Sequence, residues 1–74
     1  MIKEFVLRED NDTRIRMVNR KLTKTLYSIS IAVESKNKFG GVAASNMYEI
    51  QLHDSEITTM IQGISEVLEI GSKL

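Results

Sequence analysis

The sequence predicts an α+β fold: a four-stranded antiparallel sheet followed by one C-terminal amphipathic helix (ββββα). Two observations carry this. Apolar residues alternate at period two in four stretches, and the period then changes to about 3.6 across a single Asp. A third bears on size. With 74 residues, 42% of them hydrophobic, the chain forms one domain over 1–74 with one small core. A core that small gains stability by pairing, so a dimer is expected.

The first strand covers residues 2–8. Phe5 and Leu7 share one face, with Ile2 and Val6 on the other. Glu9-Asp10-Asn11-Asp12-Thr13 is rich in side chains that bond their own backbone, and reads as a hairpin loop. The second strand spans 14–22. Ile15 and Met17 alternate with Arg14, Arg16, Val18 and Arg20, so three arginines fall on one side of the pleat. Lys21 and Lys24 carry the basic run into the next turn. This row is either a solvated face whose charges discourage edge pairing or a binding surface.

The third strand, 25–34, places Thr25, Tyr27, Ile29, Ile31 and Val33 on a core face. Leu26, Ser28, Ser30, Ala32 and Glu34 form a smaller, more polar face. Residues 35–46 read as the longest connection, a flexible finger with Lys36, Lys38 and Phe39 ahead of Gly40-Gly41. It lacks the GxxxxGK[ST] spacing of a phosphate loop. The last strand, 47–53, alternates Tyr48, Ile50 and Leu52 with Met47, Glu49, Gln51 and His53. The helix is predicted over 55–70, with Asp54 as N-cap, Glu56 in the first turn and Gly71 as C-terminal cap. Its apolar stripe, Ile57, Met60, Ile61, Ile64, Val67 and Leu68, is expected to seat it on the sheet and to leave an edge for a second subunit. Gly63 costs about 0.8–1 kcal/mol relative to alanine in mid-helix. Close approach to another backbone, such as a partner helix, offsets that cost.

Catalytic and metal motifs are not evident. His53 is the single histidine and there is no cysteine. No serine stands in a GxSxG setting or has a recognisable His–Asp pair. The expectation is a non-enzyme without cofactor or metal. No apolar run nears the roughly 20 residues that cross a bilayer, and residues 1–5 lack the apolar core of a signal peptide. The default is a soluble cytoplasmic protein of a bacterial or phage-infected cell, without membrane contact. Net charge is zero but unevenly placed: nine bases against five acids up to Lys38, one base against five acids from Phe39 onward. The strand half is basic and the helix half acidic.

Lys24-Thr25-Leu26-Tyr27-Ser28-Ile29-Ser30-Ile31 resembles the central strand of the single-stranded-DNA-binding family of Positive Cofactor Four, the whirly-type fold. Ile50-Gln51-Leu52 followed by a capping residue and an acid resembles that family's strand-to-helix junction. The resemblance covers about Arg14 to Leu74. It departs where the family has an Arg followed by aromatics (here Ser30, Ile31, Ala32, Val33) and a Gly-Arg-Lys-Gly lead (here Ala44-Ser45-Asn46-Met47). It implies a homodimer joined by its helices, Ile57, Met60, Ile61, Gly63, Ile64, Val67 and Leu68 forming the interface. It also implies single-stranded DNA on the basic sheet face, bound with low sequence specificity. Arg14, Arg16, Arg20, Lys21 and Lys24 are the candidates to line that groove, with Lys36, Lys38 and Phe39 as its finger. The alternative is a small phage- or mobile-element-type inhibitor or adaptor that binds a host protein or sequesters a small anionic ligand. Zero net charge, sparse aromatics and the small Ser28/Ser30/Ala32 face support that alternative.

Overall fold

A computed structural model describes residues 1–73, with side chains to Gly71; Leu74, the last residue of the expected domain, lies outside the described residues. Its elements are β1 (Ile2–Glu9), β2 (Thr13–Lys21), β3 (Leu26–Lys36), β4 (Val42–His53) and α1 (Asp54–Lys73). The strands form one antiparallel meander in the order β1-β2-β3-β4. The predicted α+β layout is therefore present.

Each hairpin is fixed by a side chain that takes over turn N–H groups. Between β1 and β2, Asp10 Oδ1 accepts from the N–H of Asp12 (2.9 Å) and of Thr13 (2.8 Å). Between β2 and β3, Thr23 Oγ1 accepts from the Leu26 N–H at 3.0 Å. Between β3 and β4, Asn37 Oδ1 accepts from the N–H of Phe39 (2.9 Å) and Gly41 (3.0 Å), while Gly40 turns the chain at φ +84°. That last turn corrects the expected long finger. Asn37–Gly41 alone forms the connection, because the small side chains from Val42 to Asn46 pair with the end of β3, Asn46 opposite Val33 and Ala44 opposite Ser35. The helix junction also differs in detail. Asp54 is the first helical residue, its carboxylate accepting from the Ser55 N–H, while Glu56 reaches back to the His53 N–H at 2.8 Å. This is one half of a capping box, so the cap position falls at His53. At the other end the helix runs through Gly71 rather than stopping there.

Register divides the sheet into two unlike faces. Ile29 pairs with Asn19 and Ile50, and Ile31 with Met17 and Tyr48. Phe5 in turn pairs with Met17. These residues share an apolar face with Ile15, Tyr27, Val33 and Leu52. The opposite, more polar face carries Glu4, Arg14, Arg16, Arg20, Ser28, Ser30, Ala32, Glu34 and Glu49, together with the apolar Ile2, Val6, Val18 and Met47. A register shift between Val6 and Arg8 then places Arg8 opposite Ile15 and Glu9 opposite Arg14.

Burial runs against the expected core. Ala32, 1% exposed, is the one buried apolar residue among those described, and it lies on the polar face with Ser28 and Glu34, which are also buried. Tyr27, Ile29, Ile31 and Val33, expected in the core, are half-buried. The reason is the placement of α1. It leaves β4 and makes its close approach to the sheet mainly beside that strand, so the apolar face of β2 and β3 meets it only across an open cleft. The outline is accordingly a slab of 42 × 39 × 16 Å. Its radius of gyration is 15.1 Å, against about 11 Å for a compact chain of this length.

Candidate nucleic-acid interface and apolar cleft

The polar face does carry Arg14, Arg16 and Arg20 on one strand, but two of the three already have partners. Arg16 is held between two carboxylates. Its Nη1 donates to Glu4 Oε1 at 2.9 Å and its Nε to Glu34 Oε1 at 2.8 Å. These two hydrogen bonds, from Glu4 first and Glu34 second, push the guanidinium pKa above its ordinary value. Arg14 Nε lies 3.3 Å from Glu9 Oε2, an ion pair without a hydrogen bond from that buried nitrogen. Arg20 makes no ion pair among the described residues. It borders a depression of about 140 Å³ with Ile2, Val18, Ser28, Ser30 and Glu49.

The other basic candidates stand apart from that row. Lys21 is opposite Tyr27, hence on the apolar face, with its Nζ 5.8 Å from the ring centroid. Lys24 lies in the β2–β3 turn, at the same end of the sheet as Arg20. Lys36, Lys38 and Phe39 are at the far end. Lys36 Nζ donates to the Asp10 carbonyl at 2.8 Å and lies 3.4 Å from Glu9. Phe39 is 85% exposed, with Lys38 Nζ 5.3 Å from its ring centroid. The eight basic and aromatic candidates thus fall into three groups: the arginine row, the Lys21–Lys24 end, and the loop with Lys36, Lys38 and Phe39. The counter-charges Glu4, Glu9 and Glu34 could not be matched to their arginines without the register, since they come from two other strands.

The apolar side forms a different kind of site. Met17, Asn19, Tyr27 and Ile29 of the sheet face Ile57, Thr58, Met60, Ile61 and Ile64 of α1 across an open cleft of about 520 Å³. The Asn19 Oδ1 atom is buried there without a hydrogen-bond partner. Along the helix, Met60, Gly63, Ile64, Val67 and Leu68 line a shallow groove of about 430 Å³. All seven residues expected at a dimer interface therefore lie on these two surfaces. The sheet side of the cleft, Met17, Asn19, Tyr27 and Ile29, is not evident from the sequence, where Tyr27 and Ile29 read as core.

No cluster of three or more His, Cys, Asp or Glu able to hold a metal ion occurs among the described residues. No helix among them is long and apolar enough to cross a membrane. Comparison with protein-family models, with curated protein sequences and with solved structures finds no match.

Proposed function

We propose that this chain is a non-catalytic, homodimeric single-stranded nucleic-acid-binding protein that receives its ligand on the polar sheet face. The observation that supports it most is the separation of the two faces. Most of the large apolar groups lie on one side of the sheet and suit self-association, which leaves the arginine-bearing side, where Ile2, Val6 and Met47 are the exposed apolar residues, open to a polyanion. Because Glu4, Glu34 and Glu9 already answer Arg16 and Arg14, Arg20 and Lys24 carry most of the available charge. Binding then rests on few phosphate contacts and has low sequence selectivity. Phe39, at the far end of the sheet, is the exposed aromatic available for stacking on a base.

Fluorescence anisotropy with labelled single-stranded DNA and RNA, at two salt concentrations, tests this reading. Arg20 and Lys24 from both copies make about four phosphate contacts, which gives a log–log salt slope near −3 on single strands. The Arg20→Ala, Lys24→Ala double variant should lose most of the affinity. Absence of binding at micromolar protein in low salt, or equal binding by the variant, overturns it.

A second reading, an adaptor or inhibitor that binds a protein, is favoured by one observation. Arg14 and Arg16 are pre-paired with Glu9, Glu4 and Glu34, so the face presents fixed charges of both signs, as protein surfaces do. Binding that is insensitive to salt and to the Arg20 variant, with a protein ligand retained after nuclease treatment, would favour it. Capture of a small anion is less well supported, because the depression beside Arg20 holds about 140 Å³, below the roughly 300 Å³ at which ligand pockets begin.

A further inference from the structure

The chain as a whole exposes more surface than a folded chain of this size leaves open. The accessible area is 5938 Å². Scaling with a mass of 8.4 kDa gives about 4,600 Å², so roughly 1,300 Å² is in excess. A standard interface covers about 800 Å² on each partner, so the excess is enough for one. Part of that excess lies on the apolar face. Phe5, Met17, Ile31 and Tyr48 stand side by side in one row across all four strands, and the two ends of that row are open, Phe5 at 47% and Tyr48 at 62% exposure. On α1, Ile64, Val67 and Leu68 are as open, with Val67 at 69%.

We propose that a second copy of this chain fills the cleft by helix exchange: the outer half of each α1 lies across the other copy's Phe5–Met17–Ile31–Tyr48 row, and the two helices cross at Gly63. Three further observations support this occupant. A Cβ built on Gly63 meets nothing within 4 Å, so nothing inside the protomer requires the helix-weakening glycine. Gly63 lies on the same groove as Met60, Ile64 and Val67, where a missing side chain lets two helix backbones approach. The charges also match. Over Asp54–Lys73 the helix has four acids, Glu66 among them, against one base, Lys73, while Lys3 and Arg8 stand on the apolar face of β1 on either side of Phe5. A two-fold axis makes both contacts at once, since what one copy's helix gives the other copy's helix returns.

The inference rests on the homodimer in the function proposed above, and not on its ligand. Its test is disulfide trapping in the full chain, which has no cysteine of its own. Val67→Cys chains are mixed with Tyr48→Cys chains and oxidised. The expected product is a mixed Val67→Cys/Tyr48→Cys dimer as the main cross-linked species, over a wild-type background that sediments at twice 8.4 kDa. Cross-links confined to two Val67→Cys chains would overturn helix exchange and leave a helix-only dimer. A wild-type mass of one chain at all concentrations overturns the exchange and the homodimer together. Gly63→Ala gives an independent readout. It raises intrinsic helix propensity, yet overpacks the crossing and should weaken association about tenfold. Unchanged or tighter association places the crossing elsewhere and overturns it. Oligonucleotide binding by the trapped dimer is measured separately, so loss of the nucleic-acid reading leaves the interface intact.

Discussion

The two faces of the sheet are built from the same four strands and solve opposite problems. On the polar face, charge is largely answered inside the chain, although Arg14 Nε is buried without a hydrogen bond. Arg16 sits between Glu4 and Glu34, Arg14 beside Glu9, and the small side chains of Ser28 and Ala32 are closed over by longer neighbours. On the apolar face almost nothing is answered. Tyr48, Ile50, Phe5, Val67 and Leu68 are all exposed, and Asn19 Oδ1 keeps an unmade hydrogen bond. Electrostatic pairing is short-ranged and can be completed between adjacent strands. Hydrophobic burial needs a second layer, and one twenty-residue helix set beside a strand edge cannot supply it.

The largest effects should therefore come from the apolar face. Ile64→Asp puts a charge into the cleft and should cost more than about 3 kcal/mol, leaving a chain without a cooperative thermal transition. Loss of the near-UV circular dichroism signal with the far-UV signal partly kept would show it. A cooperative transition at the wild-type Tm would mean that this face needs no cover. The wild-type Tm should also depend on concentration. Each tenfold dilution removes about 1.4 kcal/mol from a folded dimer, or roughly 5 °C for a domain of this size. A Tm independent of concentration over three decades breaks the contrast between the faces at its root.

On the polar face the effect of a single change should be smaller and independent of concentration. Arg16→Ala removes the partner of Glu34, whose carboxylate is held in a residue only 8% exposed. A buried acid without its cation is destabilising, so Tm should fall by several degrees. Arg14→Ala, at the more exposed pair with Glu9, should fall less. The double variant Arg16→Ala, Glu34→Ala should recover part of the loss. If it is as unstable as the sum of the single changes, the two side chains are not coupled.

The strands and the helix could be read from the sequence because both periods are local. The alternation of Tyr48, Ile50 and Leu52, and the three-and-four spacing after Asp54, are properties of consecutive residues. The extent of β4 was not legible. Gly40-Gly41 and the run of small polar residues look like loop, and only pairing with β3 makes strand of Val42 to Asn46. The candidate site was legible to the same limited degree. Three arginines on one face follow from period two alone, whereas their neutralisation depends on cross-strand neighbours set by register, Arg16 opposite Val6 and Ala32 and diagonal to Glu4 and Glu34. The apolar stripe of the helix was evident. That it would stand away from its own sheet was not, since the same pattern serves equally for cover in cis and in trans.

The smallest predicted effect lies in the β1–β2 turn, and it sharpens the comparison through pH. Asp10 accepts hydrogen bonds from the Asp12 and Thr13 N–H groups, and these hold its pKa below the usual carboxylate value, with Arg8 and Lys36 adding to the shift. The stabilisation from a depressed pKa is present above the unfolded value, near 3.8, and is lost as pH falls through the folded pKa. The turn is exposed, so this loss should be modest. Asp10→Ala should lower Tm slightly at pH 7 and flatten the decline of Tm on acidification below about pH 4, because the variant has no such carboxylate to protonate. The shift should be the same at every protein concentration, since the turn is satisfied within its own hairpin. A wild-type and variant difference that persists unchanged to the lowest pH would show that the carboxylate charge does not hold the turn. A difference that grows on dilution would tie this turn to the association of the apolar faces.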